Sequence, residues 1–299
     1  MLKKEPIMKR DLFLAAIMVM LVSVMAAAQD NRIRVIAFGA HPDDADIRSG
    51  GVAAKFAAKG HLVKFVSVTN GDAGHCEMGG GALAKRRRAE AQEAARQLGI
   101  AEYEVLDNHD GELTPTLEVR KQIIRLIRQW NADIVLAPRP NDYHPDHRYT
   151  GILVQDAAFM VLIPMVVTEV PPLRKNPVFL YYEDGFQKPQ PFQPDIAISV
   201  DEVWAKKLNA FEAEESQFYE AQPKCWGGGI EVPTGQVERR KWLENRWDQR
   251  PTAAVQRCLE KWYGAERAKA IRHAEAFEIC EYGRRPNEAE LKKLFPFFD

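Results

Sequence analysis

The chain has 299 residues, 46% hydrophobic and 28% charged, with a formal net charge of −1. That is ample for a packed core in one large domain, or one domain with an appendage. The near-even charge gives no footing for a nucleic acid partner, and no repeat or low-complexity tract is present.

The N-terminus reads as a secretory signal peptide. Lys9 and Arg10 precede an apolar run from Leu12 to Met25, and Ala26, Ala27 and Ala28 close it, with cleavage expected before Gln29. A membrane span needs about 20 apolar residues, so cleavage is favoured over an anchor and no stable span is expected afterwards. No Cys sits at the cleavage point to take a lipid. Residues 1–28 hold four of the Lys/Arg and two of the Asp/Glu, so their removal leaves a formal charge of −3. The expected location is periplasmic or extracellular. There, Cys76, Cys225, Cys258 and Cys280 admit three full disulfide pairings, and their spacing fits no zinc ribbon.

The elements then follow in order. Arg34 to Ala40 predicts a first strand, and Ile47 to Lys59 a helix ended by Gly60. Val63 to Thr69 predicts the second strand, Ala82 to Leu98 the second helix, and Tyr103 to Leu106 a short third strand. Leu117 to Trp130 predicts a helix with Ile123, Ile124 and Ile127 on one side, and Ile134 to Ala137 the fourth strand. A fourth helix begins at His147, and Val178 to Tyr182 and Ile196 to Val200 predict further strands. This alternation predicts an α/β fold: a Rossmann-like, doubly wound, mostly parallel sheet with helices on both faces. Residues 29–200 are expected to form the core, and residues 201–299 a mainly helical C-terminal extension of the same domain. In it, Asp201 to Tyr219 reads as one amphipathic helix, residues 222–250 as a long loop, and residues 251–282 as largely helical.

Two clusters carry the chemistry, His41-Pro42-Asp43-Asp44 and His144-Pro145-Asp146-His147. Each follows an apolar strand, and loops at the carboxyl ends of parallel strands gather at one edge of an open sheet. The loops can bring His41, Asp44 and His147 round one ion. Two His and a carboxylate hold catalytic zinc with a position left open, and also suit Fe2+ or another divalent ion. Pro42 turns the chain sharply after His41. Asp43 is then the uncommitted acid of the first loop, while Asp46 reads as a cap or first-turn acid. In the second cluster Pro145 suits a first helical turn, and His144 and His147, three apart, share a face. Asp146 can accept from a ring N–H. A lone His-Pro-Asp is commonly a turn and a lone His-x-x-His an exposed helix start; the pairing of the two clusters carries the metal reading.

The order and spacing of Ala40-His-Pro-Asp-Asp44 with Gly50-Gly51, Thr69-Asn-Gly-Asp-Ala-Gly74, Arg87-x-x-Glu90 with Leu98-Gly99, Asp110-Gly111 and His144-Pro-Asp-His147 resemble the PIG-L family of zinc-dependent N-acetylglucosaminyl deacetylases, also called LmbE-like proteins. The likeness runs from about Arg34 to Gly151 and then fades to Ser216-Gln217. It implies zinc on His41, Asp44 and His147, and Asp43 as general base. It also implies that His144 stabilises the oxyanion or protonates the leaving amine, with Asp146 orienting it. Asp110 would then meet substrate hydroxyls, the other reading being a turn Asp; Asn70 and Tyr143 are further candidate substrate contacts. The expected reaction is removal of an acetyl group from an N-acetylated sugar or glycoconjugate. The alternatives are an amidase of a non-sugar N-acyl conjugate and a catalytically silent carbohydrate-binding homologue, against which Asp43 and His144 speak. Oligomeric state is not legible. Lys85 to Arg88 reads as a solvated helix start with one structural ion pair rather than a substrate grip, and the five glycines between Gly71 and Gly81 as a mobile loop. His61, His109 and His273 read as ordinary histidines. Trp226, Trp242, Trp247 and Trp262 read as substrate-selecting or as anchors for local packing.

Overall fold

β-Branched and aromatic runs flanked by Gly and Pro make seven strands, hydrogen-bonded in the order β3-β2-β1-β4-β5-β7-β6. They are β1 (Arg34–Gly39), β2 (Leu62–Thr69), β3 (Glu102–Asn108), β4 (Ile134–Ala137), β5 (Val178–Tyr182), β6 (Ile196–Ser199) and β7 (Ala274–Ile279). The computed structural model describes residues 31–298 other than 227 and 249, and residues 33 onward make one unit. The signal-peptide segment lies outside the described residues.

The first five strands are parallel, and the order reverses between β1 and β4. Successive residues of β1 feed opposite layers, as the two-residue period of a strand requires. Val35 and Ala37 pack with Phe56, Ala91 and Leu98, while Ile36 and Phe38 pack with Ile123, Ile127 and Leu153. Helices α1 (Asp44–Ala58) and α2 (Gly80–Leu98) cover one face, and α3 (Leu117–Trp130) and α4 (Pro145–Met160) the other. The expected doubly wound fold is what forms.

The last third departs from the sequence reading. Residues 274–279, expected to be helical, are strand β7, antiparallel to both β5 and β6. Their spacing did not separate helix from strand; the open edge of β5, a long-range partner, decides it. The single helix expected from Asp201 to Tyr219 breaks at Glu214, giving α5 (Trp204–Ala213) and a wide-turn π-helical segment, Ser216–Trp226. Part of the expected loop is α6 (Gln236–Trp247), followed by α7 (Ala253–Tyr263), α8 (Ala265–Ala270) and, near the end, α9 (Glu288–Leu294). α5, the π-helical segment and α6 share a small cluster of Leu208, Phe211, Phe218 and Leu243, whereas α7, α8 and α9 join the main core through Val255, Leu259, Ala268 and Leu291. A buried ion pair ties α5 to the core: Lys207 Nζ lies 2.6 Å from Glu275 Oε1, and Glu275 also accepts from the backbone N–H groups of Gly51 and Val52.

Candidate active site

The turn after β1 begins with Gly39, where a Cβ would overlap the Asp44 side chain; the missing Cβ lets α1 start at once. The helix therefore opens at Asp44, three residues earlier than its spacing predicted. This displaces Asp46 from the expected cap into the interior, where Tyr103 donates to its Oδ2 (2.9 Å) and burial pushes its carboxyl up to about 8. After β4, His144 is the N-cap of α4 and Pro145 fills the first helical position. β1 and β4 flank the point where the strand order reverses, the place at which open α/β sheets bind ligands.

Three side chains converge there. His41 Nδ1, His147 Nε2 and the Asp44 carboxylate lie 3.3 Å (His–His), 3.4 Å (His41–Asp44 Oδ2) and 3.4 Å (His147–Asp44 Oδ1) apart. Four ligands at about 2.0–2.1 Å from a tetrahedral ion stand about 3.3–3.4 Å from one another; the two imidazole nitrogens have that spacing, and each has an Asp44 oxygen at the same range. Each imidazole also has an acid beside its other nitrogen. His147 Nδ1 is 3.0 Å from Asp142 Oδ1. His41 Nε2 is 3.1 Å from Asp110 Oδ1 and 3.4 Å from Asp146 Oδ2, aligned with neither. That pairing fixes ring orientation in metal–histidine sites. Burial alone would lower the pKa of His41, but Asp110, Asp146 and Asp44 outweigh it and hold the ring well above its ordinary range. A group of acids that strongly favours a proton on an imidazole is also a cation site.

Asp43 is buried, and its Oδ1 lies 3.3 Å from Arg87 Nη2. Burial pushes its carboxyl up to about 6; Arg87 opposes the rise and Asp44 adds to it. Arg87 supplies the structural ion pair expected in Lys85 to Arg88 but is not solvated: it is 2% exposed and donates to Pro42 O (3.0 Å) and Gly71 O (3.3 Å). Gly71 has φ +69°, and a Cβ there would overlap the guanidinium, so glycine is needed on both counts.

The other expected site residues take varied positions. His144 stands with His41 and His147, its ring centroid 4.7 and 5.0 Å from theirs. Its Nδ1 accepts from the backbone N–H of Asp146 (3.2 Å), so the main chain, not the Asp146 carboxylate, contacts the ring. Burial and the two neighbouring imidazoles hold His144 below its ordinary pKa, favouring a neutral ring with its proton on Nε2. The Asp146 carboxylate instead accepts from the backbone of Gly111 (2.7 Å) and Leu113 (3.2 Å), holding the loop after β3 against the site. Asp110 therefore backs His41 from this loop, in place of the free substrate contact expected of it. Asn70 is buried; its amide donates to Asp107 and its Oδ1 accepts from the Asp72 backbone, so it shapes the loop. Tyr143 is 72% exposed, edge-on to His144 and His147 at the rim. Sequence reasoning missed Asp142, whose signal was a second acid, besides Asp146, within five residues of His147.

The glycine loop read as mobile is fastened. Cys76 and Cys225 form a disulfide, Gln217 Nε2 donates to Gly74 O (3.0 Å), and His75 lies 3.1 Å from Glu220. Cys258 and Cys280 are free and buried. The Trp set also divides. Trp262 stacks on Phe298 and donates to Asp195 O (2.9 Å), and Trp247 packs on Phe211 and Phe218; Trp226 is exposed.

The pattern of the PIG-L family, described as GlcNAc-PI de-N-acetylase, matches residues 36–158. The diacetylchitobiose deacetylase of Thermococcus kodakarensis is 32% identical over 203 residues, 64% of this chain and 73% of that protein. Among solved structures, the N,N'-diacetylchitobiose deacetylase of Pyrococcus horikoshii superposes with a TM-score of 0.63 at 23% identity, over 94% of this chain and 96% of its own. GalB, the 4-carboxy-2-hydroxymuconate hydratase of Pseudomonas putida, superposes with a TM-score of 0.62 at 20% identity, over 86% of this chain and 99% of its own. A deacetylase and a hydratase thus share this fold, so the reaction must be argued from the site.

Proposed function

The chain belongs to the PIG-L family of GlcNAc-PI de-N-acetylases, and from that premise we propose that it is a metal-dependent hydrolase that removes the acetyl group from an N-acetylated sugar or glycoconjugate. One observation carries the metal dependence: at the sheet switch point the facing nitrogens of His41 and His147 stand 3.3 Å apart, and each lies 3.4 Å from one oxygen of the Asp44 carboxylate. A divalent ion there, zinc by preference of the donor set, would polarise the amide carbonyl and make a water acidic enough to lose its proton near neutral pH.

The remaining work falls to the chain's own groups. Asp43, buried beside Arg87, takes the proton from the attacking water. A carboxyl raised to about 6 also gives that proton back readily, and the leaving amine nitrogen receives it as the C–N bond breaks. His144, neutral with its proton on Nε2, donates to the carbonyl oxygen as that oxygen becomes negative. Donation needs no imidazolium, in keeping with the lowered pKa of this ring. Tyr143, exposed and edge-on to His144 and His147, supports a role for the rim in meeting the sugar. The disulfide and the signal-like N-terminus support action in an oxidising, exported location.

The test is mass spectrometry of a panel of N-acetylated saccharides incubated with metal-free and zinc-loaded protein. Loss of one acetyl unit only in the loaded sample is expected. Asp43→Asn should keep the ion and lose turnover, whereas Asp44→Ala should lose the ion. Full activity of rigorously metal-free protein refutes the proposal, and an empty Asp43→Asn site beside a filled Asp44→Ala site reverses the two roles.

A further inference from the structure

A second cavity, of about 260 Å³, opens beside the active site. It shares Arg48 and Asp184 with the small recess lined by Asp44 and His147, so the two spaces adjoin along α1. Its far lining includes Trp204, Trp247, Arg250 and Thr252. These come from the C-terminal part of the chain, beyond the residues the family pattern matches. A space of this size, with aromatic surface and a few polar groups, suits one compact, partly polar ring rather than a long chain.

The charges in its walls decide what kind of ring. Asp184 is held by Arg139, whose Nε lies 2.6 Å from Oδ2. Glu275 is held by Lys207 and by two backbone N–H groups. Burial pushes the Glu183 carboxyl above its ordinary range against the pull of Arg48. The cations are less committed. Arg48 donates to the backbone oxygen of Glu183 (3.0 Å) and has no ion pair among the described residues. Arg250 has neither a hydrogen bond nor an ion pair among them; its charge acts on Asp248 only at a distance, and that carboxylate is already bonded to His273 and Arg272. Two guanidinium groups thus line one cavity in which Asp184 and Glu275 are already engaged by other cations, and a guanidinium fork matches a carboxylate or other oxyanion.

We propose that this cavity is a subsite for the sugar residue next to the one deacetylated, and that it selects a residue carrying an acidic substituent. The proposal rests on the deacetylase reading above and adds the neighbouring residue and its charge. A uronic carboxylate and a sulfate or phosphate ester offer the same oxyanion chemistry, and the test separates them.

Zinc-loaded protein is assayed on N,N'-diacetylchitobiose, on a disaccharide of N-acetylglucosamine and a uronic acid, and on a sulfated neutral disaccharide. One of the acidic substrates should be preferred by about tenfold in kcat/KM, through KM, as expected when a charge-assisted contact is gained. Arg250→Glu, at an exposed position outside the catalytic cluster, should abolish that preference, the loss being carried by a higher KM for the acidic substrate. Preference for the uronate names a carboxylate ligand, and preference for the sulfated sugar names an ester. Equal kcat/KM for all three, or an unchanged preference in Arg250→Glu, overturns the proposal. If no N-acetyl sugar is turned over, the deacetylase reading fails, and calorimetric titration with the two acidic disaccharides decides the subsite on its own. Binding about tenfold weaker in Arg250→Glu upholds an acidic-sugar site, and binding equal in the two proteins, or none to wild type, removes it.

Discussion

The disulfide between Cys76 and Cys225 should be worth more to this protein than any single contact near the active site. It closes a loop with a sequence separation of 149. The chain-entropy relation for a loop of that length gives about 5 kcal/mol at 25 °C as the most it can add by restricting the unfolded chain. For a chain of this size about 1 kcal/mol moves Tm by roughly 2 °C, so the Cys76→Ser/Cys225→Ser variant should melt about 10 °C lower. The effect should reach activity as well, because the tethered loop supplies the carbonyl of Gly71 to Arg87 and the carboxylate of Asp72 to the Asp110 backbone. Arg87 stands against Asp43, and Asp110 against His41. Loosening the loop should therefore lower kcat, only in part because Gln217 and Glu220 still hold it. The assay is differential scanning calorimetry of oxidised wild type and the double variant at equal metal content, with thiol titration of denatured protein. Two thiols are expected in the oxidised chain and four after reduction, from Cys258 and Cys280 alone and then from all four cysteines. Four thiols without reductant, or a Tm difference below about 2 °C, would refute the reasoning.

Because Asp43 must be ionised to accept a proton, kcat/KM should fall as pH drops through about 6 or below, a bound cation moving the limb downward. Arg87→Gln removes the charge that opposes the raised pKa, so the acidic limb should move to higher pH; a limb unchanged in that variant detaches Arg87 from Asp43. Glu214 is buried with neither carboxylate oxygen hydrogen-bonded, and burial, then Asp46 and Asp43, hold its pKa well above the ordinary range. A raised acid favours the fold below its unfolded pKa and loses that benefit as pH rises toward its folded pKa. Glu214→Gln should thus raise Tm at pH 8 more than at pH 4, and equal shifts in thermal melts at the two pH values would count against a raised pKa. Trp262→Ala should cost about 3–5 kcal/mol in denaturant unfolding, while Trp226→Ala should leave stability within about 0.5 kcal/mol; the reverse order would show that the two roles are exchanged.

The sequence alone settled the parallel half of the fold and the residues that meet in it. Helix α3, β4 and β5 lie at their expected bounds because local spacing, Thr116 as a capping side chain, and the flanking prolines all agree. His41, Asp43, Asp44, His144 and His147 could be listed together because strand-end loops converge at a switch point whatever the intervening chain contains. What supports them was decided by the tertiary structure. The sequence allowed one structural ion pair in Lys85 to Arg88 without saying which arginine makes it, and Asp46 looked like a helix cap; only packing put Arg87 and Asp46 in the interior beside Asp43. Asp146 and Asp110 exchanged expected partners for His41 and the 111–113 loop because side-chain direction depends on where the loop after β3 comes to rest. The pairing of Cys76 with Cys225 and the strand at 274–279 depend on contacts between residues far apart in the chain. Local periodicity fixes which face of an element is apolar, but a disulfide partner, a sheet edge or a buried charge pair is chosen by what the rest of the chain brings alongside.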